Sequence, residues 1–396
     1  MSISFQQALS KHTAPDAQGV FGAVVAVADN TGELVMTSAG GRRTWVGNEE
    51  PDLNTTYWAY SFTKLFTTIA VLQCVERGKI HLDDTVHQLL PELKDVHVIN
   101  PAHGDDGPGF ALRAAENSIT FRHLLTHTSG STYDNFDPLL IAWRQSRGES
   151  SLAMCGDVVK GYSLPLLFEP GESWSYGGGL DWAGLAIERL TGQRLGEYMR
   201  QSIFVPLGLT RTTFNISQHP EAERNLMDMS IRVPSGELAF MENPYPRDAI
   251  GDSGGMGIVT SAGDFIKVVA DLIKEKPVLL SPDMADSMFK PQFGAESKQA
   301  KGLLAMSHLY DNITGGERRL GALSFGLGGL VAVEDTPSLP AGTLAWNGMP
   351  NMGWFANKEL GIAAVFACQM MPPGDAKSTD LLTTFAQEIG KYKRSS

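Results

Sequence analysis

Segments with the pattern of β-strands lie at both ends of this chain, and segments with helical periodicity occupy most of the middle. Residues 21–28 are a run of mostly small apolar residues, and residues 29–32 form a predicted polar turn. Together with residues 33–38 they predict a β-hairpin. Near the other end, short apolar runs separated by glycines predict antiparallel strands at residues 323–334, 342–346, 352–356 and 361–368. A sheet that combines both ends requires a discontinuous domain into which the middle of the chain is inserted.

The predicted fold class is therefore α/β in the broad α+β sense, an antiparallel sheet flanked by helices with an inserted, mostly helical domain. We expect residues 1–98 and 250–396 to form the sheet-and-helix domain and residues 99–249 to form the helical domain. The active site is expected in the cleft between the two. Within the inserted region, helical apolar spacing recurs at residues 121–125, 180–190 and 195–204.

Three further segments complete this picture. Residues 100–117 are rich in glycine, proline and aspartate, which predicts a loop. Residues 296–319 form a polar insertion that is a candidate lid. Leu382, Phe385, Ile389 and Tyr392 lie on one stripe and predict a terminal helix that packs on the sheet.

The motif Ser61-Phe62-Thr63-Lys64 places a hydroxyl and an amine three residues apart at the start of a long apolar-periodic segment. On an α-helix, residues i and i+3 lie on one face with Cβ atoms about 5–6 Å apart, so the lysine nitrogen can reach the serine oxygen. A serine needs a base nearby to become a nucleophile, and a lysine can serve if its pKa falls from about 10.4 to about 7. Gly78 lies where this helix is expected to end.

The composition argues against several classes of function. A formal net charge of −12 disfavours binding of nucleic acid, because phosphate contacts need clustered Lys and Arg. Cys74, Cys155 and Cys368 form no paired motif and no histidine has metal-ligand spacing, so we expect reduced core cysteines, no metal and no cofactor. Residues 1–7 show no secretory signal, and the first apolar run, at residues 20–28, is too short to span a bilayer, which predicts a cytoplasmic protein without a membrane partner.

Two further motifs accompany Ser61 and Lys64. The segment 174–178, Trp-Ser-Tyr-Gly-Gly, follows a Pro-Gly-Glu turn, and the segment 346–349, Trp-Asn-Gly-Met, occupies a predicted strand. Together the three motifs resemble, in order and spacing, those of the serine β-lactamase and penicillin-binding-protein superfamily. Residues 123–130 and 254–257 are similar to framework segments of its class C and family VIII esterase branch. The resemblance extends over residues 21–368 and implies a β-lactamase/transpeptidase-like fold.

The resemblance also implies roles for particular residues. Ser61 would be the acylated nucleophile, Lys64 its base partner and Tyr176 the proton relay to the leaving group. The backbone N–H groups of Ser61 and Met349 would form the oxyanion hole, where loss of one donor typically costs on the order of 3 kcal/mol in the barrier. Tyr133 is expected either to border the cleft or to be an ordinary aromatic of the core or surface. The other residues expected to bind substrate are Trp346, Asn347 and Gly348.

The departures from the family pattern are informative as well. Gly178 stands where the family has an asparagine that would hold a β-lactam side chain, and Trp346-Asn347 stands where the family has a Lys-Thr pair. Both changes remove polar recognition of penicillins, so true β-lactamase activity is not expected. An apolar Trp346, with Met349 and Met352 nearby in sequence, favours a pocket for a neutral acyl chain or ring system.

The segments 176–184 and 325–329 are most similar to fungal polyketide-tailoring acyltransferases of the lovastatin type. The tryptophan at position 346 is instead similar to the corresponding motif residue of the family VIII carboxylesterases. The implied partners are a small-molecule ester or thioester donor, an alcohol acceptor and an acyl carrier protein, in secondary metabolism. Water and an alcohol compete for the same acyl-enzyme, so the motifs do not separate hydrolase from transferase. The alternative function is a non-catalytic relative that binds a ligand or acts as a scaffold.

Three other motifs imitate active sites. Residues 251–255 contain a Gly-x-Ser-x-Gly string, but a hydrolase elbow needs a histidine after the serine, and only His308 follows. A cleft-lining turn is the expected role of this string. Residues 287–290 form a second Ser-x-x-Lys, followed by a proline that disfavours helical geometry at the lysine. His123 and His127 lack the glutamate of a His-Glu-x-x-His site, which favours a framework role.

Overall fold

The computed structural model describes residues 4–15, 17–102 and 109–392. Its strands are β1 (Gly22–Asp29), β2 (Leu34–Gly41), β3 (Thr56–Trp58), β4 (His97–Pro101), β5 (Phe110–Ala114), β6 (Met229–Arg232), β7 (Leu238–Met241), β8 (Val259–Ser261), β9 (Leu323–Phe325), β10 (Leu330–Ala332), β11 (Thr343–Gly348), β12 (Met352–Asn357), β13 (Ile362–Cys368) and β14 (Met370–Met371). Its α-helices are α1 (Phe5–Thr13), α2 (Thr63–Glu76), α3 (Phe121–Leu125), α4 (Pro138–Ser146), α5 (Val158–Tyr162), α6 (Gly179–Thr191), α7 (Leu195–Met199), α8 (Val205–Leu207), α9 (Pro220–Arg224), α10 (Ala262–Asp271), α11 (Pro282–Met288), α12 (Lys298–Ala305), α13 (Asp311–Thr314) and α14 (Ala376–Gly390).

A seven-stranded antiparallel sheet joins the two ends of the chain in the strand order β2-β1-β13-β12-β11-β10-β9. Strand β1 pairs with β2 on one side and with β13 on the other, so that Val25 lies opposite Ser38 and Phe366. The small apolar side chains of β1 are buried, as the unbroken apolar run predicted. The predicted fold class, an antiparallel sheet flanked by helices and built from both ends of the chain, is confirmed.

Both faces of this sheet are covered. Every residue of β13 is buried, although successive side chains of a strand point to opposite faces. Helix α10 contacts β1, β12 and β13, whereas α1 and α14 pack against each other and against the sheet. Phe385 of α14 packs against Phe5, Phe355 and Phe366. The prediction that the terminal helix packs on the sheet is therefore confirmed.

Helix α2 runs through the core. All its residues from Thr63 to Cys74 are buried, which explains why the helix has no polar face. It packs against α6 and α7. The helix ends at Glu76, and Gly78 follows with φ +64°, a left-handed conformation that glycine adopts without steric cost. The amino end of α2 is thus a rigid support for the Ser-x-x-Lys motif.

The middle of the chain is less purely helical than expected. Helices α3, α6 and α7 confirm helical structure at the predicted segments, but β4 and β5 pair where a loop was predicted. Strand β5 is largely exposed, so it lacks the buried alternation by which a strand is recognised in sequence. Residues 103–108 of the predicted loop lie outside the described residues. The division into domains at residues 99 and 249 stays a prediction.

Two sequence-level expectations concern membranes and cysteines. Among the helices of residues 4–15, 17–102 and 109–392, none combines the length and the apolar character needed to cross a bilayer. Residues 1–3 of the segment inspected for a secretory signal lie outside this description. All the cysteines are free, and Cys74 and Cys368 are buried, but Cys155 is half-buried and so is not a core residue.

Candidate active site

Ser61 and Lys64 meet at the amino end of α2. Ser61 lies in the short 3₁₀ turn Tyr60–Phe62, and Lys64 lies in the first turn of the helix, with its Nζ atom 3.3 Å from Ser61 Oγ. Tyr60, immediately before the serine, has φ +44°, a region that residues other than glycine rarely adopt. Its hydroxyl donates to Asn243 Oδ1. The backbone therefore adopts a rare conformation with positive φ at Tyr60, the residue before Ser61.

Tyr176 brings a phenol from a distant part of the chain to the same point. It lies in the loop before α6, and its hydroxyl donates to Ser61 Oγ at 2.5 Å. The Nζ atom of Lys64 lies 4.7 Å from the centre of the Tyr176 ring. The structure thus brings together the three residues that the sequence predicted as catalytic.

The glycines after Tyr176 let its loop pack closely against neighbouring segments. A Cβ atom on Gly177 would lie 2.4 Å from the carbonyl oxygen of Ser131, and one on Gly178 would lie 2.6 Å from the ring of Tyr162. An asparagine at position 178 would therefore collide with Tyr162. The ring of Tyr162 occupies the space that an asparagine side chain would need.

Lys64 is enclosed by oxygen atoms. The side chain is buried, and besides Ser61 its nitrogen donates to the hydroxyl of Tyr133 at 3.0 Å and to the carbonyl of Gly255 at 2.9 Å. Burial, and then the negative charge of Asp181, raise the pKa of Tyr133 well above 10. The phenol of Tyr133 therefore stays neutral near neutral pH. Its direct contact with Lys64 was not anticipated, and its role in binding substrate stays a prediction.

A buried carboxyl group lies behind Lys64. Asp181 of α6 accepts hydrogen bonds from the Ser253 hydroxyl and, at 3.0 Å, from the N–H of Gly255, whose carbonyl in turn accepts from Lys64. Burial raises the pKa of Asp181, and the positive charge of Lys64 acts in the opposite direction. Within the described residues, the second carboxyl oxygen has no hydrogen-bond partner.

The same carboxyl group binds the serine of the Gly-x-Ser-x-Gly string at residues 251–255. The Ser253 hydroxyl donates to Asp181 and so is not available to donate to a histidine. Asp181 was not among the predicted site residues. The signal that could have identified it is an acidic residue inside the apolar run of α6, where burial of a charge is costly unless it has partners.

Aromatic side chains pack around the phenol of Tyr176. The indole Nε1 of Trp346 donates to the Tyr176 hydroxyl at 3.1 Å, and the two rings are 5.1 Å apart. The ring of His127 also packs against Tyr176, with a centroid distance of 4.6 Å, and Phe325 contacts both His127 and Trp346. Trp346 is only 2% exposed. The indole therefore contributes to the packing around Tyr176, and the substrate-binding role expected of it stays a prediction.

Each histidine of the framework segment accepts a hydrogen bond from a backbone N–H at Nδ1, His123 from Thr120 and His127 from Gly177 at 3.5 Å. The bond to His123 caps helix α3. His127 is buried, and burial followed by the charge of Lys64 lowers its pKa well below 6.5. In the part of the chain that the structure describes, no cluster of His, Cys, Asp or Glu side chains is arranged to hold a metal ion.

The end of β11 lies beside the nucleophile. A Cβ atom on Gly348 would lie 3.3 Å from the carbonyl oxygen of Ala59, two residues before Ser61. Among the backbone hydrogen bonds of turns and loops in the described ranges, none is donated by the N–H of Ser61 or of Met349. An oxyanion hole requires two N–H donors beside the nucleophile, and this role of Ser61 and Met349 stays a prediction.

Asn347 faces the polar insertion at residues 296–319. Its Nδ2 atom donates to the carbonyl of Leu309 and, at 3.0 Å, to Oδ1 of Asn312. The insertion is folded into α12, a 3₁₀ turn and α13. The amide nitrogen of Asn347 is therefore already bonded within the protein, which leaves the amide oxygen for the predicted contact with substrate.

The second Ser-x-x-Lys motif has a local explanation. The Ser287 hydroxyl donates to the carbonyl of Met284, one turn earlier in α11, at 2.6 Å. The helix ends at Met288, so Lys290 lies beyond it, as the following proline predicted. The Ser287 hydroxyl therefore forms a local hydrogen bond in the last turn of α11.

Known proteins resemble this chain in both sequence and structure. The Beta-lactamase family profile matches residues 5–388. Monacolin J acid methylbutanoyltransferase from Aspergillus terreus is 35% identical over 98% of this chain and 94% of its own. Lovastatin esterase from Penicillium rubens is 33% identical over 98% of this chain and 97% of its own. The structure of unliganded simvastatin synthase (LovD) from Aspergillus terreus superimposes with a TM-score of 0.85 at 33% identity, covering 99% of this chain and 98% of that one. The chain belongs to the Beta-lactamase family.

Proposed function

We propose that this protein is a serine acyl-transfer enzyme, an acyltransferase or a carboxylesterase, in which Ser61 carries the acyl group. One observation carries the proposal: Ser61 Oγ is within hydrogen-bond distance of both Lys64 Nζ and the Tyr176 hydroxyl, at 3.3 and 2.5 Å. A hydroxyl with two proton-transfer groups in contact is the geometry of an activated nucleophile. Similarity to fungal acyltransferases and esterases over nearly the whole chain supports the same reaction class.

The proposed reaction has two halves. In the first, Ser61 Oγ bonds to the carbonyl carbon of the donor and its proton passes to the Lys64–Tyr176 pair, while the N–H groups of Ser61 and Met349 stabilise the oxyanion. The bond to the leaving alcohol or thiol then breaks, and the leaving group takes that proton. In the second half, an acceptor hydroxyl attacks the acyl-Ser61 ester and gives its proton to the pair. When the Ser61–acyl bond breaks, the proton returns to Ser61 Oγ.

The proposed substrates are uncharged esters or thioesters. Lys64, the cation beside Ser61, already donates to three oxygen atoms of the protein, so it is poorly placed to bind a substrate carboxylate. The names of the relatives describe the transfer of a methylbutanoyl group to monacolin J acid and the action of an esterase on lovastatin. We therefore propose a short acyl group, a small alcohol acceptor in secondary metabolism, and an acyl carrier protein or a simple thioester as the acyl source.

The nucleophile is tested by mass spectrometry of the intact protein. Incubation with a fluorophosphonate or a p-nitrophenyl ester should add the mass of the reagent's acyl or phosphonyl group to Ser61. Ser61→Ala should show no adduct, whereas Ser287→Ala, which alters the second Ser-x-x-Lys motif, should still be labelled on Ser61. An unmodified protein that turns over no ester would favour the alternative function, a ligand-binding or scaffold protein.

The choice between transferase and esterase is tested by product partition. The protein is given a methylbutanoyl thioester with increasing concentrations of an alcohol, and the ester and free acid are quantified. A transferase should form ester in proportion to the alcohol while total turnover of the donor changes little if acylation limits the rate. An esterase should form free acid at every concentration of alcohol.

A further inference from the structure

The indole N–H of Trp346 is directed at the phenol oxygen of Tyr176, at 3.1 Å. Its direction is fixed by packing: Trp346 lies in β11, and the rings of Tyr310 and Phe325 lie against it at 6.3 and 5.3 Å. The side chain is almost completely buried, so water does not compete for the N–H group. A dry and fixed donor therefore faces an oxygen atom that also contacts the nucleophile.

The hydrogen bonds of the Tyr176 oxygen differ between its two protonation states. As a phenol it donates to Ser61 Oγ at 2.5 Å and accepts from Trp346. As a phenolate it has no proton to donate and needs donors, and the Ser61 hydroxyl and the Trp346 N–H supply two without any movement of the backbone. Hydrogen bonds to a charged oxygen are stronger than those to a neutral one. The indole therefore stabilises the phenolate more than the phenol.

We propose that Trp346 is a positioning residue that stabilises the phenolate of Tyr176 and thereby makes Tyr176 the group that takes the proton of Ser61. The inference rests on the acyl-transfer function proposed above. An indole is a donor without charge. It therefore favours the phenolate without attracting an anionic substrate, which fits a preference for uncharged esters and thioesters.

The titratable groups near this hydrogen bond are few. Lys64, His127 and Tyr133 pack against Tyr176, Tyr310 packs against Trp346, and Asp181 lies behind Lys64. Burial keeps His127, Tyr133 and Tyr310 neutral around neutral pH, because it lowers the pKa of the histidine and raises those of the tyrosines. Lys64 and Asp181 are the same in the unaltered protein and in a variant at position 346. A difference between the pH profiles of the unaltered protein and the variant therefore measures the effect of the indole N–H.

Strand β12 offers a matched control. Trp354 lies directly opposite Trp346 in the β11–β12 pairing and is also fully buried. Its Nε1 atom has no hydrogen-bond partner in the described part of the chain. Replacement of either tryptophan by phenylalanine removes a similar amount of buried surface. Only the change at position 346 removes a donor to Tyr176.

The experiment measures kcat and KM for a p-nitrophenyl ester from about pH 5 to about pH 9 in three variants of the full chain. These are Trp346→Phe, Trp354→Phe and a protein with benzothienylalanine at position 346, in which sulfur replaces the indole N–H. Relative to Trp354→Phe, Trp346→Phe should lower kcat by about 10- to 100-fold, the effect of losing one hydrogen bond to a charged group. KM should change little, and the acid limb of the kcat profile should move up by about 1 to 2 pH units.

The benzothienyl variant keeps the shape of the indole and should reproduce these effects even if Trp346→Phe folds poorly. A benzothienyl variant with the rate and pH profile of the unaltered protein would overturn the inference. An equal shift of the acid limb in Trp354→Phe would also overturn it. Labelling of Ser61 by a fluorophosphonate in the unaltered protein separates these results from a failure of the proposed function, because that labelling does not depend on the indole of the variants.

Discussion

The carboxyl group of Asp181 and the side-chain nitrogen of Lys64 are joined through a single residue, Gly255. The N–H of Gly255 donates to Asp181 at 3.0 Å, and its carbonyl accepts from Lys64 at 2.9 Å. A Cβ atom on Gly255 would lie 2.3 Å from an Asp181 carboxyl oxygen, so any other residue would force the two segments apart. The contact between helix α6 and the turn before β8 therefore sets the position of Lys64.

Asp181→Asn should raise the melting temperature near neutral pH. Burial raises the pKa of the folded-state carboxyl, so the folded protein holds this proton more tightly than the unfolded chain, for which the pKa is about 3.9. The contribution of Asp181 to stability is then fully present below about pH 3.9 and is lost as the pH rises through the folded-state value. Asparagine cannot ionise and keeps the acceptor for Gly255. The gain in melting temperature should therefore grow from about pH 4 to about pH 8.

Calorimetric melting curves at several pH values provide the measurement. Asp286→Asn is the control, because Asp286 lies at an exposed ion pair with Lys358, where a change is worth little. A melting-temperature difference for Asp181→Asn that stays constant across the pH range would contradict the argument.

Tyr133→Phe should reduce acylation of Ser61. The substitution removes the 3.0 Å acceptor of Lys64 while it keeps the ring, so the lysine loses one of its three fixed partners. A rate reduction of about 10-fold or more is expected for the loss of one hydrogen bond to a charged group. Tyr162→Phe is the control, because the Tyr162 hydroxyl donates to the Ala153 carbonyl instead. Pre-steady-state release of p-nitrophenol measures the acylation rate of each variant. Equal acylation rates in Tyr133→Phe and Tyr162→Phe would contradict the prediction.

Lys64→Ala should abolish acylation and leave the fold intact. A positioned acid or base contributes about 10²- to 10⁴-fold to a rate, so labelling of Ser61 should become undetectable on the time scale of the unaltered protein. Circular dichroism checks the fold, and the mass of the intact protein reports the adduct. Labelling at close to the unaltered rate would remove Lys64 from the mechanism.

Gly178→Asn should destabilise the protein and should not create β-lactamase activity. The new side chain would start 2.6 Å from the ring of Tyr162, and overpacking of this kind typically costs about 1–3 kcal/mol. The double variant Gly178→Asn with Tyr162→Ala opens space and should recover part of the loss in a denaturant titration. Hydrolysis of a chromogenic cephalosporin measures the activity, and efficient hydrolysis by either variant would show that position 178 alone excludes β-lactams.

Local features of the fold and the union of both chain ends in one sheet were predictable, whereas most side-chain contacts between distant segments were not. The apolar run of β1 and the spacing of Ser61 and Lys64 are properties of neighbouring residues, and both are found in the structure. Strand β5 was missed because it is mostly exposed and carries no buried face. The contact of Tyr176 with Ser61 spans 115 residues and was inferred only from the resemblance to a family.

The surroundings of the site were harder still to predict. That Tyr133 contacts Lys64 and that Trp346 contacts Tyr176 depends on side-chain directions at the ends of loops and strands. Trp346 was assigned to substrate from its position in the family motif, whereas Tyr133 was left open between a place at the cleft and an ordinary core or surface role. The direction of a hydrogen bond between segments 69 or 170 residues apart leaves no periodic trace in a sequence.

The central sheet has a consequence for how the site is completed. Strand β1, near the amino terminus, pairs with β13, near the carboxyl terminus, and β11 brings Trp346 close to a serine that lies almost three hundred residues earlier in the chain. The surroundings of Ser61 and Lys64 are therefore complete only when the last third of the chain has paired with the strands made first.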